Sequence, residues 1–170
     1  MNRLGPPWRR YLTASGGSAA VELALVLPLL TLLMFGFIEV GRLYWTYNVA
    51  ASAARDAARY AARLPITCNG AAGSFVTPGD AANVQNVART GQPASGGSPV
   101  VGGWTNNSDV AVSVTCIAGG AAYLGRYDGM AWVPHVSVAA TVPFNTAMSS
   151  LLPGLALINF TVSNQQAWTE

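Results

Sequence analysis

From Ala19 to Ile38 the chain runs for 20 residues with one acid, Glu22, and no base. At ~1.5 Å per residue a helix of that length spans ~30 Å, the thickness of a bilayer's hydrocarbon core. The run can therefore cross a membrane once, and everything after it must fold on one side. Glu22 is the anomaly, because a carboxylate carried to mid-bilayer costs roughly 2.5 to 3.5 kcal/mol even on the mildest scale and calls for a partner. A cut after Gly17 would supply one: the new α-amino group of Ser18 would lie about one helical turn from Glu22.

The segment before the run has matching character. Met1 to Gly17 holds Arg3, Arg9 and Arg10, no acid, and the small residues Ala14-Ser15-Gly16-Gly17. The basic residues read as cytoplasmic. A secretory signal would place its small-residue cleavage site after the apolar core, whereas here Gly-Gly-Ser-Ala-Ala precedes it. The competing reading is an uncleaved signal anchor with Glu22 near the headgroups. Inside the run, Pro28 removes a helix hydrogen bond, which predicts a kink or a locally melted turn near Ala24 to Pro28.

Helical character continues beyond the run. Val40 to Leu64 contains no proline, ends before Pro65 and is dense in alanine, so one helix is expected from about Ser18 to Leu64. Tyr44, Trp45 and Tyr47 fall where an interfacial aromatic belt belongs. Arg55, Arg59 and Arg63 recur every four residues along one face, and Asp56 is spaced to pair with Arg59. That stripe is either a solvated face or a site for an acidic partner.

Taken together, Gly17-Ser18-Ala19-Ala20-Val21-Glu22, Ala24-Leu25-Val26-Leu27-Pro28, Glu39-Val40-Gly41-Arg42 and Ala53-Ala54-Arg55-Asp56-Ala57-Ala58-Arg59-Tyr60-Ala61 resemble the signature of TadE-like minor pilins. These belong to the tight-adherence, or Flp, type IV pilus machinery. The likeness is specific over about residues 16 to 64 and only general beyond. It implies cutting by a prepilin peptidase between Gly17 and Ser18, which makes Glu22 the fifth residue of the mature chain. It further implies that Glu22 meets the N-terminal amine of a neighbouring subunit during insertion into the growing helical bundle. The implied partners are other minor pilins of the TadE and TadF types, the major Flp pilin, the inner-membrane platform and membrane lipid. The implied roles are pilus assembly, surface adhesion and biofilm formation.

Composition agrees with an anchored extracytoplasmic protein: 51% of residues are hydrophobic, 9% are charged, and the net charge is +2. All nine basic residues are arginine and no basic patch with interleaved aromatics stands out, so nucleic acid is not an expected partner. Beyond the helix about 105 residues remain, enough for one small domain.

Cys68 and Cys116 lie on the side that the charge rule places outside the cytoplasm, where a disulfide is the default. Closing that loop would stabilise by ~4 kcal/mol in the chain-entropy model. Two free buried thiols, or metal ligation with the sole histidine, are the alternatives. Pro65 to Asp109 is rich in Gly, Pro, Ser, Asn and Thr and reads as a long surface loop with at most a short helix near Asp80 to Arg89. That loop is either a partner-reading surface or a tolerated insertion.

Three segments then alternate with period two: Val110 to Cys116, Val136 to Val142 and Ile158 to Val162. Joined through Gly119 to Trp132 and Asn145 to Gly154, they predict an antiparallel sheet packed on the outer half of the helix. The expected class is α+β, a long pilin-like N-terminal membrane helix followed by a small antiparallel sheet domain. The expected division is a cytoplasmic leader over 1–17, a helix over 18–64 spanning the membrane at 19–38, and an extracytoplasmic domain over 65–170.

Catalysis has few candidates. His135 falls on the polar face of its strand, where an ordinary surface or hydrogen-bonded role is expected. No nucleophile elbow, phosphate loop or metal-spaced cluster is present, and Asp80, Asp109, Asp128 and Glu170 are scattered. Neither enzyme activity nor a cofactor or metal is expected. Trp104, Tyr123, Tyr127 and Trp132 could line a sugar or protein site, but such residues are more often the core of a domain short of large side chains.

Overall fold

The computed structural model describes residues 17–119, 125–146 and 158–169. The leader Met1 to Gly16, Tyr123 and parts of both expected hairpin connections lie outside the described residues. Helix α1 covers Gly17–Ala61, and two compact units meet within it, one up to Gly41 and the other from Arg42 onward.

In the first unit every large side chain of the apolar run is exposed, Leu25 at 76% and Phe37 at 74%, so nothing of this unit buries them. By length and composition this helix can cross a membrane. The melted turn expected near Pro28 is absent: helix continues unbroken through it. Proline lacks only its own N–H and its φ is helical, so an otherwise strongly helical run can absorb one missing bond. The Thr31 hydroxyl donates to the Pro28 carbonyl at 2.8 Å.

The second unit is α+β. After α1 come strands β1 (Ile66–Asn69) and β2 (Ala72–Phe75), helix α2 (Asp80–Thr90), and strands β3 (Val110–Ala118), β4 (Trp132–Phe144) and β5 (Ile158–Ala167). All neighbours are antiparallel, in the order β1-β2-β3-β4-β5. The expected alternation holds best on β4, where Val136, Val138, Ala140 and Val142 are all fully buried. They pack in one core with Ala50, Ala54, Ala57, Ala58 and Ala61 of α1. Burying a valine stabilises by ~1.5 to 3 kcal/mol, and the alanines let helix and sheet approach closely enough to do it.

The helix ends earlier than Leu64. Ala62 to Leu64 tighten, with Arg63 N–H donating to Tyr60 and Leu64 N–H to Ala61, each at 3.1 Å. The carbonyls beyond find partners in the chain's last residues: Thr169 N–H donates to Ala62 at 2.8 Å and the Trp168 indole to Leu64 at 3.1 Å. Helix ends leave such carbonyls unsatisfied, and this latch supplies their donors.

The reading of 65–109 as loop with one short helix needs correction. Helix α2 is present, but β1 and β2 form a hairpin that the sequence reading missed. Asn69 pairs with Ala72, leaving Gly70 and Ala71 as a two-residue turn with Gly70 at φ +63°. A glycine at that first position suits the tight turns that match strand twist. The glycine-rich stretch after α2 is held along its length. Arg89 Nε donates to Asn107 Oδ1 at 2.6 Å and Nη1 to the Thr105 carbonyl at 2.7 Å, while Trp104 is fully buried.

The disulfide joins Cys68 of β1 to Cys116 of β3, with Cα atoms 6.0 Å apart, although β2 stands between those strands in the sheet. Gly73 of β2 pairs with Cys68 and makes the crossing possible. A Cβ there would stand 2.6 Å from Val114 Cγ1 and 2.9 Å from Cys116 Sγ. Replacing Gly73 by Val is expected to destabilise the domain by about 1 to 3 kcal/mol, the cost of overpacking. Thermal unfolding of the full chain in detergent checks this; an unchanged Tm would show that β2 is not clamped between Val114 and the disulfide.

Candidate functional site

The residues singled out by sequence fall along α1, and the structure divides them between its units. Gly17 and Ser18 form the first turn, and Glu22 follows Ser18 by four residues on the same face. All three are exposed. Glu22 lines a shallow groove with Ala19, Leu23 and Val26, and among the described residues it has no ion-pair partner.

Glu39 is half-buried, and Gly41 sits where an added Cβ would meet nothing within 4 Å. Arg42 opens the second unit. Its Nη2 donates to the Asn145 carbonyl at 3.4 Å, and its guanidinium lies 5.7 Å from the Phe144 ring centroid. Arg42 thus ties the end of β4 to the helix, a role that the sequence did not signal because its partners lie about a hundred residues away.

Arg55, Asp56, Arg59 and Arg63 are all exposed, in keeping with a solvated face. Asp56 and Arg59 do not form the expected ion pair; two exposed side chains gain little from pairing in water and lose rotamer freedom by it. Tyr60 instead packs against the core. Asp56 stands at a groove of about 450 Å³ between α1 and α2, lined by Trp45, Val49 and Ala53 on one side and Val87 and Gly91 on the other. Sequence reading missed this groove because it needs two helices separated in the chain by residues 62–79 to be brought side by side.

Cys68 and Cys116 are joined, and no free cysteine exists among the described residues. His135 is half-buried with its Nε2 shielded and unpartnered, so the expected surface or hydrogen-bonded histidine is not what that nitrogen shows. Among the described residues no group of three His, Cys, Asp or Glu side chains gathers at one place. Trp104 lies in the core as expected, while Tyr127 and Trp132 are only half-buried. The Tyr127 hydroxyl donates to the Trp168 carbonyl at 2.7 Å, holding the C-terminal latch. For protein prepared from an oxidising compartment, alkylation followed by mass measurement should find two reactive thiols only after reduction; two without reduction would refute the bond.

No curated protein and no solved structure matches the chain. Residues 17–59 match the family described as TadE-like protein. The match begins at the first residue of α1 and takes in Glu22, Pro28, Glu39, Arg42 and the Arg55 to Arg59 motif, leaving the sheet outside it. Over residues 17–59, within its long N-terminal helix, the chain is similar to TadE-like proteins.

Proposed function

We propose that the chain is a minor pilin, or pseudopilin, of a Tad (Flp) type IV pilus. It enters the inner membrane through α1 with its N-terminus cytoplasmic and its sheet domain, over 65–170, extracytoplasmic. Prepilin peptidase removes the leader 1–17 between Gly17 and Ser18. Glu22 then pairs with a subunit N-terminus, which offsets the cost of carrying an acid into the bilayer. The chain works with other TadE-type or TadF-type minor pilins, the major Flp pilin and the membrane platform, in pilus assembly and surface adhesion rather than catalysis.

The observation that carries this reading is the family match starting at Gly17, on a helix whose apolar half is exposed and holds one acid. A second reading, an uncleaved membrane-anchored binding domain unrelated to pili, draws support from the groove between α1 and α2. N-terminal sequencing of membrane-bound protein separates them. A chain starting at Ser18 only in cells that have the peptidase supports the pilin; one starting near Met1 in both backgrounds supports the binding domain. Glu22→Ala is expected to leave membrane insertion intact while removing most surface pili, counted by electron microscopy. Normal piliation would sink the pairing.

A further inference from the structure

The two outer strands of the sheet, β1 and β5, leave very different edges. β1 is four residues long and is tied to β3 by the Cys68–Cys116 bond. So short a strand offers little for another chain to pair with. β5 is ten residues long, and its sequence contains no charged residue, no proline and no glycine. It pairs with β4 in one unbroken register, from Phe144↔Ile158 to His135↔Ala167, with no bulge to turn the edge aside. Folded proteins blunt a long edge with charge, proline or a bulge, because a row of unpaired N–H and C=O groups is a template for a further strand. β5 has none of these guards.

The register fixes which backbone groups are unpaired. The Trp168 N–H donates to the Pro134 carbonyl at 2.9 Å, and that pair continues the β4–β5 register. Bonded and non-bonded pairs alternate along an antiparallel ladder, so the even-numbered residues of β5 turn their backbone groups to β4. Asn159, Thr161, Ser163 and Gln165 turn theirs to the open edge, and all four residues are exposed. Among the described residues β5 has no strand on that side. Its other side chains, Ile158, Phe160 and Val162, share the face that packs on α1: Val162 lies in the core, the Phe160 ring stands 5.7 Å from that of Tyr47, and Ile158 is 44% exposed.

We propose that the open edge of β5 takes an added strand from a partner protein, an extended segment in which apolar side chains alternate with small uncharged polar ones. Backbone hydrogen bonds to Asn159, Thr161, Ser163 and Gln165 hold it, as in strand addition to other exposed edges. Its apolar positions extend the face of Ile158, Phe160 and Val162, and its polar positions lie beside the four outward residues. Charge in the segment is disfavoured, since burial beside Phe160 costs a charge its hydration and β5 holds no counter-charge. The inference concerns the sheet domain alone and goes beyond the reading of the chain as a minor pilin.

The probe for the test is a fluorescent peptide with the sequence of Val136 to Val142, which flanks β5 on its other side within the fold. In it Val136, Val138, Ala140 and Val142 alternate with Ser137, Ala139 and Thr141. Binding to the full chain in detergent is read by polarisation. Thr161→Pro together with Ser163→Pro removes two outward N–H groups and no bond to β4, and is expected to weaken binding roughly tenfold or more. The peptide carrying Val138→Asp is expected to bind as weakly. Amide hydrogen exchange on the unaltered chain decides the matter should the prolines disturb the fold. The Thr161 and Ser163 amides, fast in the free protein, are expected to slow several-fold with peptide bound, while Val162 and Asn164 are slow throughout. Undiminished binding to the proline variant, or no binding to the unaltered chain, overturns the proposal. Slowed exchange on α1 and α2 in place of β5 overturns it in favour of the groove that Asp56 edges. Protection of Thr161 and Ser163 that follows protein concentration and not peptide overturns the partner strand in favour of a second copy.

Discussion

Everything outside the first unit depends on the close approach of α1 to β4. Ala50, Ala54, Ala57, Ala58 and Ala61 are at most 1% exposed, and Val136, Val138 and Val142 are fully buried in the same core. The alanines themselves contribute little transfer free energy. Their value is geometric: a helix faced with methyl groups lets a sheet lie against its backbone, and the valines lose nearly all contact with water as a result. A larger residue on that face would hold the layers apart and expose the valine stripe. The helix whose apolar run is long enough to cross a membrane is thus, from Arg42 onward, the floor of a domain built from distant parts of the chain.

Two devices close that domain where α1 ends. The Cys68–Cys116 bond ties the hairpin directly after the helix to β3, with Gly73 giving it room to cross β2. The C-terminal residues Trp168 and Thr169 supply donors to Ala62 and Leu64, carbonyls that the helix can no longer satisfy. Both devices act on the same short stretch, 62–68, so the point where helix gives way to sheet is fixed covalently and by hydrogen bonds at once. At the other end of the sheet Arg42 does comparable work with Asn145 and Phe144. The sheet is therefore fastened at both ends to the part of α1 that belongs to its own unit, from Arg42 onward.

Legibility followed the range of the interactions. The helix, the three long strands and the spacing of Gly17, Glu22 and Pro28 could be read because each is a local pattern: a run, an alternation, a residue out of character. The β1–β2 hairpin could have been read too. Gly70, first of the two turn residues, is a hairpin signal, but strands of four residues in a glycine-rich, polar context carry too little alternation to stand out. The Arg89 clasp on Asn107 and Thr105 left no local trace, since an arginine near a helix C-terminus is ordinary whatever it holds.

The sequence by itself determined that the chain has a long helix with an apolar run long enough to span a membrane and a single acid within that run. It also determined that a sheet follows, because hydrophobic period and length need no tertiary context. Only the tertiary structure decided which other residues meet and by what route: that the Cys68–Cys116 bond, already the default from the sequence, crosses β2, that Trp168 and Thr169 finish the helix, that Asp56 edges a groove rather than pairing with Arg59, and that Arg42 gathers β4. These depend on residues tens to a hundred positions apart being brought within a few ångströms, and chain periodicity carries no information about contacts of that kind.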